Sequence, residues 1–140
     1  MESDYPLLDA CDPRTCMARK IMLSDRLIST TYRKHLAHFG LTASQRMILF
    51  VLSKRGPLKQ SELAKSVILE KSSLSRNLNR LLTSNYVCKT TPRKISITEA
   101  GKAMLEKLIP AWEKAKKEIQ DKLGEDGLAA LNLVVKKLNS

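Results

Sequence analysis

Long apolar runs are missing from this chain of 140 residues. The longest, Met47 to Leu52, has six members, far short of the roughly 20 a helix needs to span a bilayer, so no membrane role is expected. A basic opening stretch is missing too. Met1–Pro13 carries four acids, unlike a secretory signal, and a cytoplasmic protein is expected. The three cysteines are an odd number and make no disulfide framework. Cys11 and Cys16, five apart, offer too few ligands at too wide a spacing for a metal centre. There is no Ser/His/Asp or Cys/His constellation, no glycine-rich phosphate loop and no carboxylate pair in a helical pocket. That argues against an enzyme and gives no reason to expect a cofactor.

What is present is ordinary in amount and unusual in placement. Apolar residues make up 43% and charged residues 28%, as in a folded globular chain of one domain. The net charge of +11 is concentrated in the middle. Lys54–Lys94 holds ten basic residues against two acidic ones, whereas the segments on either side are close to balance. A basic central third between balanced flanks suggests a polyanion-binding module carried by helices with another task.

Periodicity predicts helix after helix with one small hairpin. A first long helix is expected over about Pro13–His38, ended by Gly40. Thr42-Ala-Ser-Gln45 has the capping-box pattern and opens a helix whose run Met47–Leu52 is apolar all round, so it should be buried between layers. A short helix over Gln60–Ser66 follows, with Leu63, Ala64 and Val67 inward, and then a longer one over Lys71–Ser84 with Leu74, Leu78, Leu81 and Leu82 in one stripe. Tyr86–Lys89 and Lys94–Ile97 are expected to pair around Thr90-Thr-Pro-Arg93. Thr98 opens a helix to about Leu123, which Pro110 should bend. A turn at Gly124–Gly127 precedes a last amphipathic helix.

The Lys71–Ser84 helix carries the chemistry. Opposite its leucines lie Ser72, Ser73, Ser75, Arg76, Asn77 and Arg80, and no acid occurs between Lys71 and Glu99. Small hydroxyls and amides let a backbone approach base edges or phosphates, and arginine grips guanine O6 and N7 with two donors. Ser72, in the first turn, is placed to meet a phosphate with help from the helix N-terminus.

Gly40-Leu-Thr-Ala-Ser-Gln45, Leu58-Lys-Gln-Ser-Glu-Leu-Ala64, Glu70-Lys-Ser-Ser-Leu-Ser-Arg-Asn-Leu-Asn-Arg-Leu-Leu82 and Ile97-Thr-Glu-Ala-Gly101 occur in that order. Together they resemble the MarR family of winged-helix transcription regulators over nearly the whole chain. The resemblance implies a mainly α fold: a winged helix-turn-helix lobe (about 41–98) with a short two-stranded wing, flanked by dimerisation helices (about 13–39 and 99–140). It implies a homodimer on a pseudopalindromic operator in double-stranded DNA, with Lys71–Ser84 as recognition helix and Tyr86–Ile97 as wing. Two departures stand out. The wing lacks the family's Asp-x-Arg pair and is shortened, leaving Arg93 or Lys94 to enter a minor groove. Lys59 stands where a Ser or Thr helix cap is common, an exchange expected to cost about 1 kcal/mol.

The resemblance also implies a switch, a repressor released either by a small aromatic or anionic effector or by thiol oxidation. His35, His38 and Arg46 are candidates to line an effector crevice. Cys11 and Cys16 are candidate redox thiols if Arg14, Arg19 or Lys20 stabilises a thiolate; they equally suit small apolar fillers at a dimer seam. The alternative reading of the basic lobe is a winged-helix protein-interaction module with an acidic partner.

Overall fold

The computed structural model describes residues Met1–Ser140. The elements run α1 (Pro6–Ala10), α2 (Met17–Leu36), α3 (Ala43–Arg55), β1 (Leu58–Lys59), α4 (Gln60–Val67), α5 (Lys71–Thr83), β2 (Val87–Thr90), β3 (Lys94–Ile97) and α6 (Glu99–Leu138). The first long helix therefore begins at Met17 rather than Pro13. Asp12 accepts from the Arg14 N–H and folds Pro13–Thr15 into a separate 3₁₀ turn. At the other end, Ala37–Phe39 forms a second 3₁₀ turn, closed by Gly40 at φ 76°, the left-handed conformation that glycine adopts without a Cβ penalty.

Local signals place most of the remaining boundaries. Thr42 Oγ1 accepts from the Gln45 N–H at 3.2 Å, and Gln45 Oε1 accepts from the Thr42 N–H at 3.1 Å, so the expected capping box opens α3. Glu62 Oε1 accepts from the Lys59 N–H at 3.1 Å, which supplies one half of such a box where Lys59 cannot supply the other. Thr98 caps α6 through the Gly101 N–H. A Cβ on Gly101 would collide with the carbonyl of Tyr86, whose oxygen accepts from the Thr98 N–H. Only glycine lets α6 start so close to the hairpin.

Three further expectations are modified. The wing hairpin β2–β3 belongs to a three-stranded antiparallel sheet of order β1-β3-β2, because Leu58 and Lys59 pair with Ile95 and Lys94. α6 passes through exposed Pro110 without leaving helical geometry. Its one break is Gly124 at φ 69°, and residues 125–127 are already helical, so the expected turn contracts to a single residue.

The core gathers between α3, α4, α5, the sheet and the first half of α6. Leu36, Ile48, Leu49, Leu63, Leu74 and Leu108 are completely buried. α5 buries Leu74, Leu78 and Leu81, the expected stripe, while Leu82 packs at its edge. α3 is not buried all round: Met47 is exposed, and Phe50 and Val51 are only partly covered. Outside this region the pattern reverses. No residue before Ile28 and none after Leu128 is even half-buried, yet Leu7, Met17, Ile21, Met22, Leu27, Val135 and Leu138 lie there.

Candidate nucleic-acid interface

α5 is anchored by its leucines, and this turns the opposite side outward. Ser72, Arg76 and Arg80 are exposed, while Ser73, Ser75 and Asn77 are half-buried. The half-buried polar groups have protein partners. Ser75 Oγ accepts from Gln60 Nε2 at 2.9 Å, which ties α5 to α4. Ser73 Oγ accepts from Arg76 Nη2 at 3.3 Å and orients that guanidinium. Asn77 Nδ2 donates to the Ser73 carbonyl at 2.9 Å, and its Oδ1 accepts from Gln45 Nε2 at 3.3 Å. The side chains left free to meet a ligand are therefore Ser72, Arg76 and Arg80. The N-cap residue Glu70 makes no side-chain bond to the first turn of α5, so those backbone N–H groups stay open to an anion.

The sheet adds cations beside this helix. Arg93, at φ 56° in the wing turn, and Lys94, at the start of β3, project from the hairpin. Lys59 on β1 sits opposite Lys94 in the strand register. Lys59, Gln60, Ser61, Pro92 and Arg93 line a depression of about 450 Å³. None of Lys59, Arg76, Arg80, Arg93 or Lys94 joins an ion pair. Sequence reasoning gave Lys59 only a capping cost; its charge was visible, but the β1–β3 pairing that brings it to the wing was not.

A second feature opens on another side of α3. A crevice of about 670 Å³ between α2, α3 and α6 is lined by Tyr32, Arg33, Arg46, Met47, Phe50 and Trp112 among others. Arg46 is 8% exposed and donates through Nη1 to the Leu41 carbonyl at 2.9 Å. Burial lowers its pKa from the ordinary guanidinium value, and the neighbouring Tyr32 opposes that shift. Burial pushes the Tyr32 hydroxyl above its usual value of 10.0, with Glu113 in the same direction and Lys116 and Arg46 against it. The Phe50 and Trp112 rings meet at 5.6 Å between centroids, with Lys116 Nζ 4.7 Å from the Trp112 ring. A buried cation beside aromatic walls suits an aromatic anion.

Of the three residues expected at such a crevice, only Arg46 lines it. His35 turns away to Glu118, with Nε2 2.7 Å from Oε2, and the His38 ring lies against Phe39 at 4.1 Å. The direction of His35 depends on Glu118, which α6 brings beside the end of α2. Cys11 and Cys16 are exposed, at the end of α1 and the start of α2. Arg14 is held by Asp12 through two hydrogen bonds of 3.0 and 3.1 Å rather than aimed at either sulfur. Nowhere do three His, Cys, Asp or Glu side chains converge as metal ligands, and no helix is long and apolar enough to cross a membrane.

A short helix, a turn, an anchored second helix and an antiparallel hairpin define a winged helix-turn-helix protein. Residues 39–94 match the family model described as MarR family. It is 37% identical over 78 residues to an uncharacterized HTH-type transcriptional regulator of Bacillus anthracis, a match that covers 54% of this chain and 53% of that protein. The match thus spans about half the length of that curated relative. The fold extends further. A cysteine-to-serine mutant of MarR from E. coli, complexed with operator DNA, superposes with a TM-score of 0.80 at 20% identity, covering 98% of this chain and 99% of that one. Bordetella bronchiseptica BpsR, whose DNA binding is regulated by 6-hydroxynicotinic acid, gives a TM-score of 0.82 at 15% identity over 91% of this chain and 97% of its own.

Proposed function

We propose that the chain is a homodimeric, DNA-binding transcription regulator, a repressor that leaves its operator when a small aromatic anion enters the α2–α3–α6 crevice. The observation that carries the reading is the outward side of α5, where Ser72, Arg76 and Arg80 are exposed, neither arginine is in an ion pair, and no acid lies within the helix. Arg76, held by Ser73, reads a guanine in the major groove; Arg80 and Ser72 hold phosphates; Ser73, Ser75 and Asn77 set the helix that presents them. Arg93 and Lys94 meet the adjacent groove or backbone, and Lys59 offsets the lost reach of the short wing. The many exposed apolar side chains on α2 (Met17, Ile21, Met22, Leu27) and at the end of α6 (Leu133, Val135, Leu138) support the dimer, because a second copy would cover them. Arg46 and the Phe50–Trp112 walls support the effector class, as does the similarity to a regulator that responds to an aromatic acid. Oxidation of exposed Cys11 or Cys16 is the second candidate trigger, decided by DNA binding with and without peroxide.

Selection from random duplexes followed by mobility shift tests the reading. A palindromic sequence should emerge, with binding that falls steeply with salt, on a log–log slope of about −5 to −10. Arg76→Ala should cost about 1–3 kcal/mol of discrimination between that sequence and random DNA. An unchanged ratio would remove Arg76 from the reading role. Failure to select any sequence would overturn the regulator and favour an acidic protein partner for the same basic surface.

A further inference from the structure

We propose that Gln45 is a positioning residue that couples the α2–α3–α6 crevice to the DNA-facing side of α5 through its hydrogen bond to Asn77. The inference rests on the function proposed above and deepens it, because it names the path by which crevice and helix sense each other.

Gln45 and Arg46 are consecutive residues of α3 and the two buried polar side chains of the molecule, 5% and 8% exposed. Neighbours on a helix point about 100° apart. Arg46 therefore turns into the crevice while Gln45 turns toward α5. Both are fastened to the same short turn: Arg46 Nη1 donates to the Leu41 carbonyl at 2.9 Å, and Gln45 Oε1 accepts from the Thr42 N–H at 3.1 Å. From there Gln45 Nε2 reaches Asn77 Oδ1 at 3.3 Å, Asn77 Nδ2 reaches the Ser73 carbonyl at 2.9 Å, and Ser73 Oγ receives Arg76 Nη2 at 3.3 Å. An unbroken series of contacts thus joins the buried arginine of the crevice to the exposed arginine of α5. Gly40, Leu41 and Thr42 form a wall common to the crevice and to a depression of about 620 Å³ against Asn79 and Arg80.

An anion in the crevice pairs with the free donors of the Arg46 guanidinium and draws it away from the Leu41 carbonyl, which holds one of its five. If Arg46 leaves Leu41, the turn that fixes the Gln45 amide loosens. Gln45 is buried, so its amide cannot exchange Asn77 for water without exposing itself; it keeps the bond and carries Asn77 with it. Coupling of this kind is reciprocal, so DNA on α5 must alter the crevice in turn.

A double-mutant cycle tests the link without knowledge of the effector. Gln45→Glu keeps an acceptor for the Thr42 N–H, as glutamate does in a capping box, but turns an oxygen toward Asn77 Oδ1. In the wild-type background, Arg46→Gln should change affinity for a selected duplex about threefold or more; in the Gln45→Glu background the same substitution should change it less than about 1.5-fold. Additive effects overturn the proposal. The Asn77 side-chain amide, followed by NMR in the free protein, gives a readout that general loosening would not single out. Its resonances should move on Arg46→Gln and stay in place when Gln45→Glu is already present; an Asn77 amide indifferent to Arg46→Gln overturns the link. Arg46→Lys replaces Arg46→Gln in both measurements if the latter lowers the thermal midpoint. Should the wild-type chain select no duplex, the regulator reading fails, and the Asn77 resonances still decide the coupling separately.

Discussion

The middle of the chain and its two ends solve the same problem differently. From Leu36 to Ala115 every element finds an inner side within the same chain, and all 19 buried residues lie there. Before Ile28 and after Leu128 the helices are as regular, but their large apolar side chains face outward. Since helix stability in proteins comes mainly from packing an apolar side rather than from propensity, the middle has its packing within the chain, and the proposed dimer would supply it to the ends. The charge follows the same division: the basic excess sits on the middle, and the ends are close to balance.

The largest expected effect breaks the middle. Leu74 is fully buried at the start of the α5 stripe, and Leu74→Ala should cost about 2–5 kcal/mol through lost transfer energy and a cavity. Urea denaturation at several protein concentrations checks it; a loss that depends on concentration would mean that the middle leans on the dimer after all. Next comes a break in the ends. Ile21 and Val135 are each 53% exposed, and Ile21→Glu with Val135→Glu should convert a dimer to a monomer by light scattering. Affinity for a palindromic duplex should then fall by about a hundredfold or more, because the second half-site no longer binds intramolecularly. A dimer that survives both charges would place the interface elsewhere.

How much of this the chain discloses by itself follows the same division. Periods, caps and breakers are local, so the helices, the Thr42 capping box, the Gly40 stop and the leucine stripe of α5 were legible in sequence. So was the polar side of α5, since it is whatever the stripe leaves over. The start of α2 was misjudged because the Asp12 side chain competes with helix for the Arg14 N–H. Pairings between distant segments were not legible. β1 has two residues and no periodicity, so nothing local announces that Lys59 lies opposite Lys94. Nothing local says either that His35 meets Glu118, 83 positions away, or that Asn77 is held by Gln45 rather than free. Of the half-buried members of the candidate site, Ser75 and Asn77 have partners on other helices, at Gln60 and Gln45.

Lys59 offers a smaller and sharper test on the basic part. Its ammonium has no ion-pair partner and shares a depression with Arg93, so Lys59→Gln should weaken binding to all duplexes alike. With two copies in a dimer, the log–log salt slope should become shallower by about two. A change confined to the selected sequence would instead make Lys59 a reader of bases or groove shape.

The smallest effect is expected where the two parts meet. Glu118 on α6 accepts from Lys34 Nζ at 3.0 Å and lies 2.7 Å from His35 Nε2, which ties it to the end of α2. The hydrogen bond with His35, and then that with Lys34, holds its carboxyl below the ordinary value of 4.5. A carboxylate depressed on folding stabilises the folded state above its unfolded pKa, and that contribution is lost as pH falls through the lower folded value. The group is open to solvent, so screening keeps the effect small. Glu118→Gln should therefore lower the thermal midpoint slightly near pH 7, and less in high salt. The gap to wild type should close as pH is taken below 4.5. A gap that persists into strong acid would mean that Glu118 acts through packing and not through its charge. The contact would then belong with the leucines of the middle rather than with the electrostatics of the seam.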